Sequence, residues 1–107
     1  MSILYKNAKV DLTTTNATAV LTPANATTAV IKSILVSEDS GNADTITLTI
    51  TDTDSAVFSL FKVKAVSANT TVELLTQPLV LQDSEILKAT AATANRLHLV
   101  VSYLEIS

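Results

Sequence analysis

One stretch of this chain, Asp44–Asp52, permits only one kind of secondary structure. Its sequence, DTITLTITD, alternates an aliphatic residue with threonine at every second position. Side chains in a β-strand point to opposite faces with a period of two, so one face here is purely aliphatic and the other purely threonine. Isoleucine and threonine are also β-branched, which suits a pleated backbone and disfavours a helix. The stretch therefore predicts a strand with its aliphatic face in the core.

A second candidate strand, Ala29–Ser37, lies just before this stretch. The two are separated by the polar connection Glu38–Ala43, which holds the only glycine of the chain. This order predicts a hairpin, Thr27–Asp54, in which the two strands are neighbours. Apolar residues occupy both alternating faces of Ala29–Ser37, a pattern that favours a strand covered on both sides.

Turn-forming residues divide the rest of the chain into further short strands. Eight or nine strands at spacings of about 8–12 residues, without a convincing helix, predict an all-β fold, an antiparallel β-sandwich of jelly-roll or immunoglobulin-like type. We expect residues 1–16 to form an N-terminal strand or extended arm and residues 17–107 to form a single sandwich domain. The candidate strands are Ser2–Leu12, Ala17–Leu21, Ala29–Ser37, Asp44–Asp52, Ala56–Val66, Thr70–Leu75, Leu79–Leu81, Ser84–Thr90 (strand or one helical turn) and Arg96–Ile106.

The composition excludes several classes of function. The net charge is −3 and the seven basic residues are scattered, whereas a nucleic-acid-binding protein needs clustered lysine and arginine. No apolar run approaches the roughly 18–20 residues of a membrane-spanning helix, and the N-terminus lacks the features of a signal peptide. Charged residues make up only 16% of the chain, against about 25% in a typical globular protein. A surface so poor in charge packs readily against other protein.

Catalytic and metal-binding patterns are missing from the sequence. There is no cysteine, and His98 is the only histidine. A lone histidine without acidic or basic partners is a poor base or ligand. The acidic residues around Glu38–Asp44 and Asp52–Asp54 are separated by one strand, about 25 Å at the usual rise, and each group alone has too few ligands for a cation. We predict no catalytic residue, no cofactor and no metal site, and therefore not an enzyme.

Apolar residues on the outside of predicted strands are the most informative feature for function. A sandwich core with extra cover from the arm and a subunit interface both fit them, because cores and obligate interfaces share a composition. We assign the arm residues to contact with a neighbouring subunit and the others to an apolar second face. The arm residues are Ile3, Leu4 and Tyr5, and the second face comprises Ile31, Leu35, Val100 and Leu104.

Two long runs carry a resemblance to a known group of proteins. They are AVIKSILVSEDSGNADTITLTITDTDS and VKAVSANTTVELLTQPLVLQDSEILKATAATANRLHLVVSYLEIS, from residues 29 and 63 onward. Their shared features are the alternating T-hydrophobic strand after a polar turn, a V-E-L strand, an L-V-L segment followed by I-L-x-A, and a terminal V-V-S-Y-x-E-I. Over residues 27–107 the chain resembles small virion structural proteins of tailed bacteriophages, of the kind that cyanophages and other marine phages carry.

The resemblance implies a non-enzymatic structural protein of the virion. Its most concrete form is a capsid decoration (cement) protein that binds the major capsid protein on the capsid surface as a homo-oligomer, with a trimer favoured. Neck, tail or baseplate components are the alternatives within the virion. A carbohydrate-binding sandwich module is a further alternative, which would need exposed aromatic residues such as Tyr103. From the net charge and the absence of a long apolar run we expect no nucleic-acid or membrane partner.

Overall fold

The computed structural model describes residues 2–107 and confirms the all-β fold. Nine antiparallel strands form two packed sheets, and the described residues contain no helix. Accordingly, no helix within residues 2–107 is long and apolar enough to cross a membrane. The strands are β1 (Ile3–Asp11), β2 (Thr18–Leu21), β3 (Thr28–Glu38), β4 (Asp44–Thr51), β5 (Val57–Val66), β6 (Thr71–Glu73), β7 (Leu79–Leu81), β8 (Ile86–Ala91) and β9 (Leu97–Ile106).

The strands pair as one long hairpin that is rolled into two layers. Outward from the β4–β5 turn, β4 pairs with β5, β3 with β6 and β7, β2 with β8, and β1 with β9. Further pairing of β3 with β9 and of β4 with β8 completes two sheets. Sheet I has the order β1-β9-β3-β6, with β7 also on β3, and sheet II has the order β2-β8-β4-β5.

This rolled hairpin is the jelly-roll form of the predicted sandwich, because β6 and β7 together act as one interrupted strand beside β3. The immunoglobulin-like form does not fit. In that form the first two strands share a sheet, whereas β1 and β2 lie in different sheets here.

The predicted pairing of the two strands in Thr27–Asp54 is wrong. β3 belongs to sheet I and β4 to sheet II, so the connection between them crosses from one layer to the other. The reason lies in Glu38, which is only 1% exposed and binds backbone N–H groups of Ser40, Gly41 and Asn42. The connection therefore curls around a buried carboxylate, which takes the place of a tight hairpin turn.

The assignment of the apolar residues of β3 to its two faces by simple alternation is also wrong, and with it the assignment of Ile31 to an outer surface, although Val30 and Leu35 do leave apolar side chains on the outer face. The pairing of β3 with β9 shifts register between Ile31 and Ser33. Such a bulge moves the following residues to the opposite face. Ile31 before the bulge and Ile34 after it are both fully buried, whereas Leu35 is 38% exposed. β3 thus has one continuous core face.

The core lies between the two sheets and draws on nearly every strand. The aliphatic face of β4 is part of it, since Ile46 and Leu48 are fully buried, while the threonines on its other face are half-buried. β1 pairs with β9 along its whole length, so the N-terminal segment is the outer strand of sheet I. The buried apolar residues are Leu12, Val20, Ala29, Ile31, Ile34, Val36, Ile46, Leu48, Val66, Leu74, Leu81, Leu87, Ala89, Ala91, Leu97, Leu99 and Val101.

Candidate interaction surfaces

The outer face of sheet I carries an apolar row that crosses four strands. Tyr5 of β1 lies opposite Leu104 of β9, Leu104 lies opposite Val30 of β3, and Val30 lies opposite Val80 of β7. Tyr5 is 87% exposed and Val80 is 53% exposed, while Leu104 and Val30 are half-buried. We call these four residues the apolar row. Ile3 extends it along β1 on the same face.

A second pair of predicted interface residues lies further along the same face. Leu35 of β3 is directly opposite Val100 of β9. Lys9 flanks this pair on β1 and Glu73 flanks it on β6. The structure therefore places Leu35 and Val100 on the same face as the apolar row. Val100 lies four residues along β9 from Leu104, a distance of about 13 Å.

The remaining two predicted interface residues lie elsewhere. Leu4 alternates with Ile3 and Tyr5, so it points to the opposite face of β1, where it is 48% exposed. Ile31 is enclosed in the core, as described above. Of the seven predicted residues, the structure brings together five on the outer face of sheet I.

Sequence reasoning missed two members of the apolar row, Val30 and Val80. No signal in the sequence marks Val30, because the face on which it lies depends on the bulge between Ile31 and Ser33. The signal for Val80 was its central position in a three-residue strand whose last residue is buried. Strand alternation then places it outside.

Strand β5 forms the opposite edge of the molecule and exposes apolar side chains of its own. Val57, Phe58 and Val63 are 62%, 56% and 59% exposed. The pairing of β5 with β4 contains two register shifts, and Val63 has a positive φ of 54°, which is unusual for a β-branched residue. The N–H of Val63 donates to the hydroxyl oxygen of Thr47 at 3.0 Å. β5 is therefore an irregular edge, pinned by a threonine of the neighbouring strand.

The carboxylate of Glu38 is enclosed by hydrogen-bond donors at one end of the sandwich. It accepts bonds from the N–H groups of Ser40 at 2.9 Å, Gly41 and Asn42 at 3.1 Å, and Asn69 at 3.2 Å, and from the hydroxyl of Ser40. Burial raises the pKa of this carboxyl, but the bonds from Ser40, Asn69 and Asn42 outweigh burial and hold the pKa at about 2. Its oxygens bind the connection between β3 and β4 and the turn at Asn69, so Glu38 holds these two loops in place.

Glu73 fills a break in sheet I. On the side away from β9, β6 and β7 leave the middle of β3 without a paired strand, and there Glu73 accepts bonds from the hydroxyl of Ser33 and from the N–H of Ile34 at 2.8 Å. A third donor is the N–H of Leu75 at 3.2 Å. Burial raises the pKa of Glu73, but the hydrogen bonds lower it by more, so that the pKa lies below its usual range. The carboxylate replaces ladder hydrogen bonds at the bulge.

His98 has two acidic neighbours that the sequence did not indicate. Its Nε2 lies 3.2 Å from Asp11 on β1 and its Nδ1 lies 3.7 Å from Asp39. All three side chains are substantially exposed, so the attraction between them is screened by solvent. Within residues 2–107 no group of three or more histidine, cysteine or acidic side chains is arranged to hold a metal ion.

Comparison of the chain with protein-family models, with curated proteins and with solved structures found no match.

Proposed function

We propose that this protein is a non-enzymatic structural protein of a bacteriophage virion, most concretely a capsid decoration protein that binds the major capsid protein. The observation that carries the proposal is the apolar row, Tyr5, Leu104, Val30 and Val80, on the outer face of sheet I. Exposed apolar area grouped on one face is typical of an interaction site. The resemblance to phage virion proteins supplies the biological setting.

The fold supports this role by analogy. Jelly rolls occur in viral capsid domains and in lectins, although a fold alone does not determine a function. The two carboxylates with shifted pKa, those of Glu38 and Glu73, bind backbone donors and so stabilise the sandwich.

The mechanism is burial of a modest apolar surface, repeated many times. A decoration protein is present in many copies on a capsid lattice, and each copy adds its own contact with the shell. If copies also contact each other, binding of one raises the effective concentration of the next and the total exceeds the single affinity. A single weak surface such as the apolar row is then sufficient to stabilise a shell.

Binding to expanded capsids tests the proposal. Val80→Asp places a charge in the apolar row, and we expect it to lower the capsid-bound fraction at least about tenfold, since burying an unpaired charge costs several kcal/mol. Val57→Asp is the matched control, because Val57 is 62% exposed on the other sheet, and it should bind as the unchanged protein does. Equal loss in both variants, or no binding of the unchanged protein, would refute the proposed surface.

Copy number separates the positions within a virion. Hundreds of copies per particle by gel densitometry support a decoration protein, whereas about a dozen or fewer support a neck, tail or baseplate component.

One observation favours the carbohydrate-binding alternative enough to test it. Tyr5 lines a shallow depression together with Asn7 and Lys32, whereas the side chain of Tyr103, opposite Lys6, packs against the core. Aromatic rings beside polar side chains are a common way to hold a sugar. A glycan screen with a hit that Tyr5→Ala abolishes would support this function over capsid decoration, because Tyr5 is the exposed aromatic residue at the depression. A screen without hits would remove it.

A further inference from the structure

Strand β1 has a free edge whose hydrogen-bonding pattern follows from its two ends. Ser2 N–H donates to the carbonyl of Ser107 at 2.9 Å, and Leu12 N–H donates to the carbonyl of Leu97 at 3.0 Å. The register between these ends is unbroken. In an antiparallel pair every second residue bonds to the neighbouring strand, so the even-numbered residues face β9.

The odd-numbered residues of β1 therefore direct their N–H and C=O groups away from the sheet. At two groups per residue, five residues present ten backbone groups, and none of these groups forms a hydrogen bond within residues 2–107. The five residues are Ile3, Tyr5, Asn7, Lys9 and Asp11.

The other sheet edges carry features that block pairing with another chain. β2 has four residues, a register shift and Pro23 close behind it. β5 has two register shifts and the positive φ of Val63. β6 and β7 have three residues each, with Pro78 between them. Proteins protect exposed edges with such short strands, bulges and prolines.

β1 lacks these protections. It runs for nine residues with no proline and no register shift. Lysines on an edge are another common protection; the ammonium group of Lys6 lies 3.2 Å from the carboxylate of Glu105 in its own sheet, which leaves Lys9 as the single exposed lysine of this edge without such a bond among residues 2–107. β1 is thus the one described edge that is open to a further strand.

We propose that the edge of β1 binds β1 of a second copy of this chain, antiparallel, about a two-fold axis at Asn7. This register places odd residues opposite odd residues and satisfies all ten free groups. An axis at Ala8 leaves Ile3 without a partner. An axis at Lys6 or at Lys9 puts two like charges directly opposite each other, which is unfavourable.

Two side-chain pairs across this axis are complementary, whereas Ile3 lies opposite Asp11 of the second copy and gains only its backbone hydrogen bonds. Leu4, which is 48% exposed, lies opposite Val10 of the second copy, and Val10 packs against the core. Tyr5, which is 87% exposed, lies opposite Lys9 of the second copy, whose aliphatic stem and charge both suit an aromatic ring. The sheets I of the two protomers then join into one sheet, and the apolar rows of both protomers lie on the same side of it.

The arrangement predicts a dimer and no larger assembly through this edge, because a two-fold interface uses the same surface on both copies and closes on itself. The trimer that the resemblance implies would have to form through a different surface. The test of the dimer uses the isolated protein, without capsids. A negative result would therefore refute the dimer and leave the proposed binding to capsids unaffected.

Substitution at the axis tests the dimer. Asn7→Pro removes an N–H that does not bond to β9, and proline is tolerated at such edge positions. Two symmetric bonds are lost at the axis, and we expect the dimer dissociation constant, from sedimentation equilibrium, to rise more than about tenfold. Asn7→Ala keeps the backbone donor and should leave the dimer intact. Circular dichroism establishes that both variants are folded.

A cross-link fixes the register independently, even if Asn7→Pro fails to fold. The chain has no cysteine, and in the proposed pair the two residues at position 7 have Cα atoms about 5.5 Å apart, within disulfide range. Asn7→Cys should therefore form a disulfide dimer on mild oxidation. Lys9→Cys, on the same strand and face, should not, because its two copies are four residues out of register, about 13 Å.

Three results would overturn the proposal. The first is a protein that sediments as a monomer or trimer at high concentration. The second is a folded Asn7→Pro variant whose dimer dissociation constant is unchanged, and the third is a Lys9→Cys variant that cross-links as fast as Asn7→Cys.

Discussion

Thr51, at the end of β4, tests what an unpaired buried hydroxyl group costs this sandwich in stability. Its hydroxyl oxygen is buried and has no hydrogen-bond partner within residues 2–107. It lies in the row between Ile86 of β8 and Val57 of β5. A buried hydroxyl without a partner costs about 1–3 kcal/mol. Valine has the same shape without this cost.

We expect Thr51→Val to raise the free energy of unfolding. The methyl group that replaces the hydroxyl adds about 0.8 kcal/mol if fully buried, and the side chain is only half-buried. Added to the cost of the unpaired hydroxyl, half of that gain brings the expected stabilisation to about 1.5–3.5 kcal/mol, which corresponds to a rise in Tm of roughly 6–15 °C for a domain of this size.

Thermal and urea unfolding of paired variants provide the assay. Thr49→Val is the matched control, because Thr49 lies on the same face of the same strand and its hydroxyl is not among the buried unpartnered groups. We expect the control to change stability by less than about 0.5 kcal/mol. A Thr51→Val variant no more stable than the control would refute the assignment of an unsatisfied hydroxyl at this position.

Two further predictions concern the core and the buried carboxylate. Leu48 is fully buried in mid-β4, so Leu48→Ala should lower the free energy of unfolding by about 2–5 kcal/mol in urea; a loss below 1 kcal/mol would contradict the central position of this strand. Glu38 has its pKa lowered from 4.5 to about 2 in the folded protein, so its charged form stabilises the fold fully above about pH 4.5 and progressively less as pH falls toward 2. In thermal melts, the advantage of the unchanged protein over Glu38→Gln should shrink across that interval, and a constant difference would show that Glu38 does not act through its charge.

The positions of the strands follow from local chemistry and were predictable from the sequence. The alternation in Asp44–Thr51 requires a strand with one buried face, and the structure has it. Proline and polar residues end the other strands, and the predicted strands coincide with the observed ones to within about two residues at most ends. These features depend on neighbours along the chain, which the sequence displays directly.

Pairing partners were not predictable in the same way. β3 and β4 are adjacent in sequence, yet they lie in different sheets because the carboxylate of Glu38 binds the connection between them. The side on which Ile31 lies depends on a bulge of one residue, and that shift reverses every assignment made by simple alternation. His98 meets Asp11 only because β9 pairs with β1.

The candidate surface was predicted in part for the same reason. Tyr5, Leu35, Val100 and Leu104 share one face because β1, β9 and β3 are neighbours, and nothing in the sequence states that order. The residues could be selected as apolar and outward-facing, but their grouping into one surface is a property of the sheet.

The place of β9 between β1 and β3 also determines when this chain can fold. β9 is the last of the nine strands to be synthesised, and its pairing of Ile106 with Ile3 joins residues more than 100 positions apart. Until β9 has been synthesised, β1 and β3 both lack the strand that lies between them in sheet I. The apolar face of β3 is then only partly covered. Folding of sheet I is therefore dominated by contacts between residues that are distant in the chain, which places this domain among slow-folding domains, in the range of milliseconds to seconds.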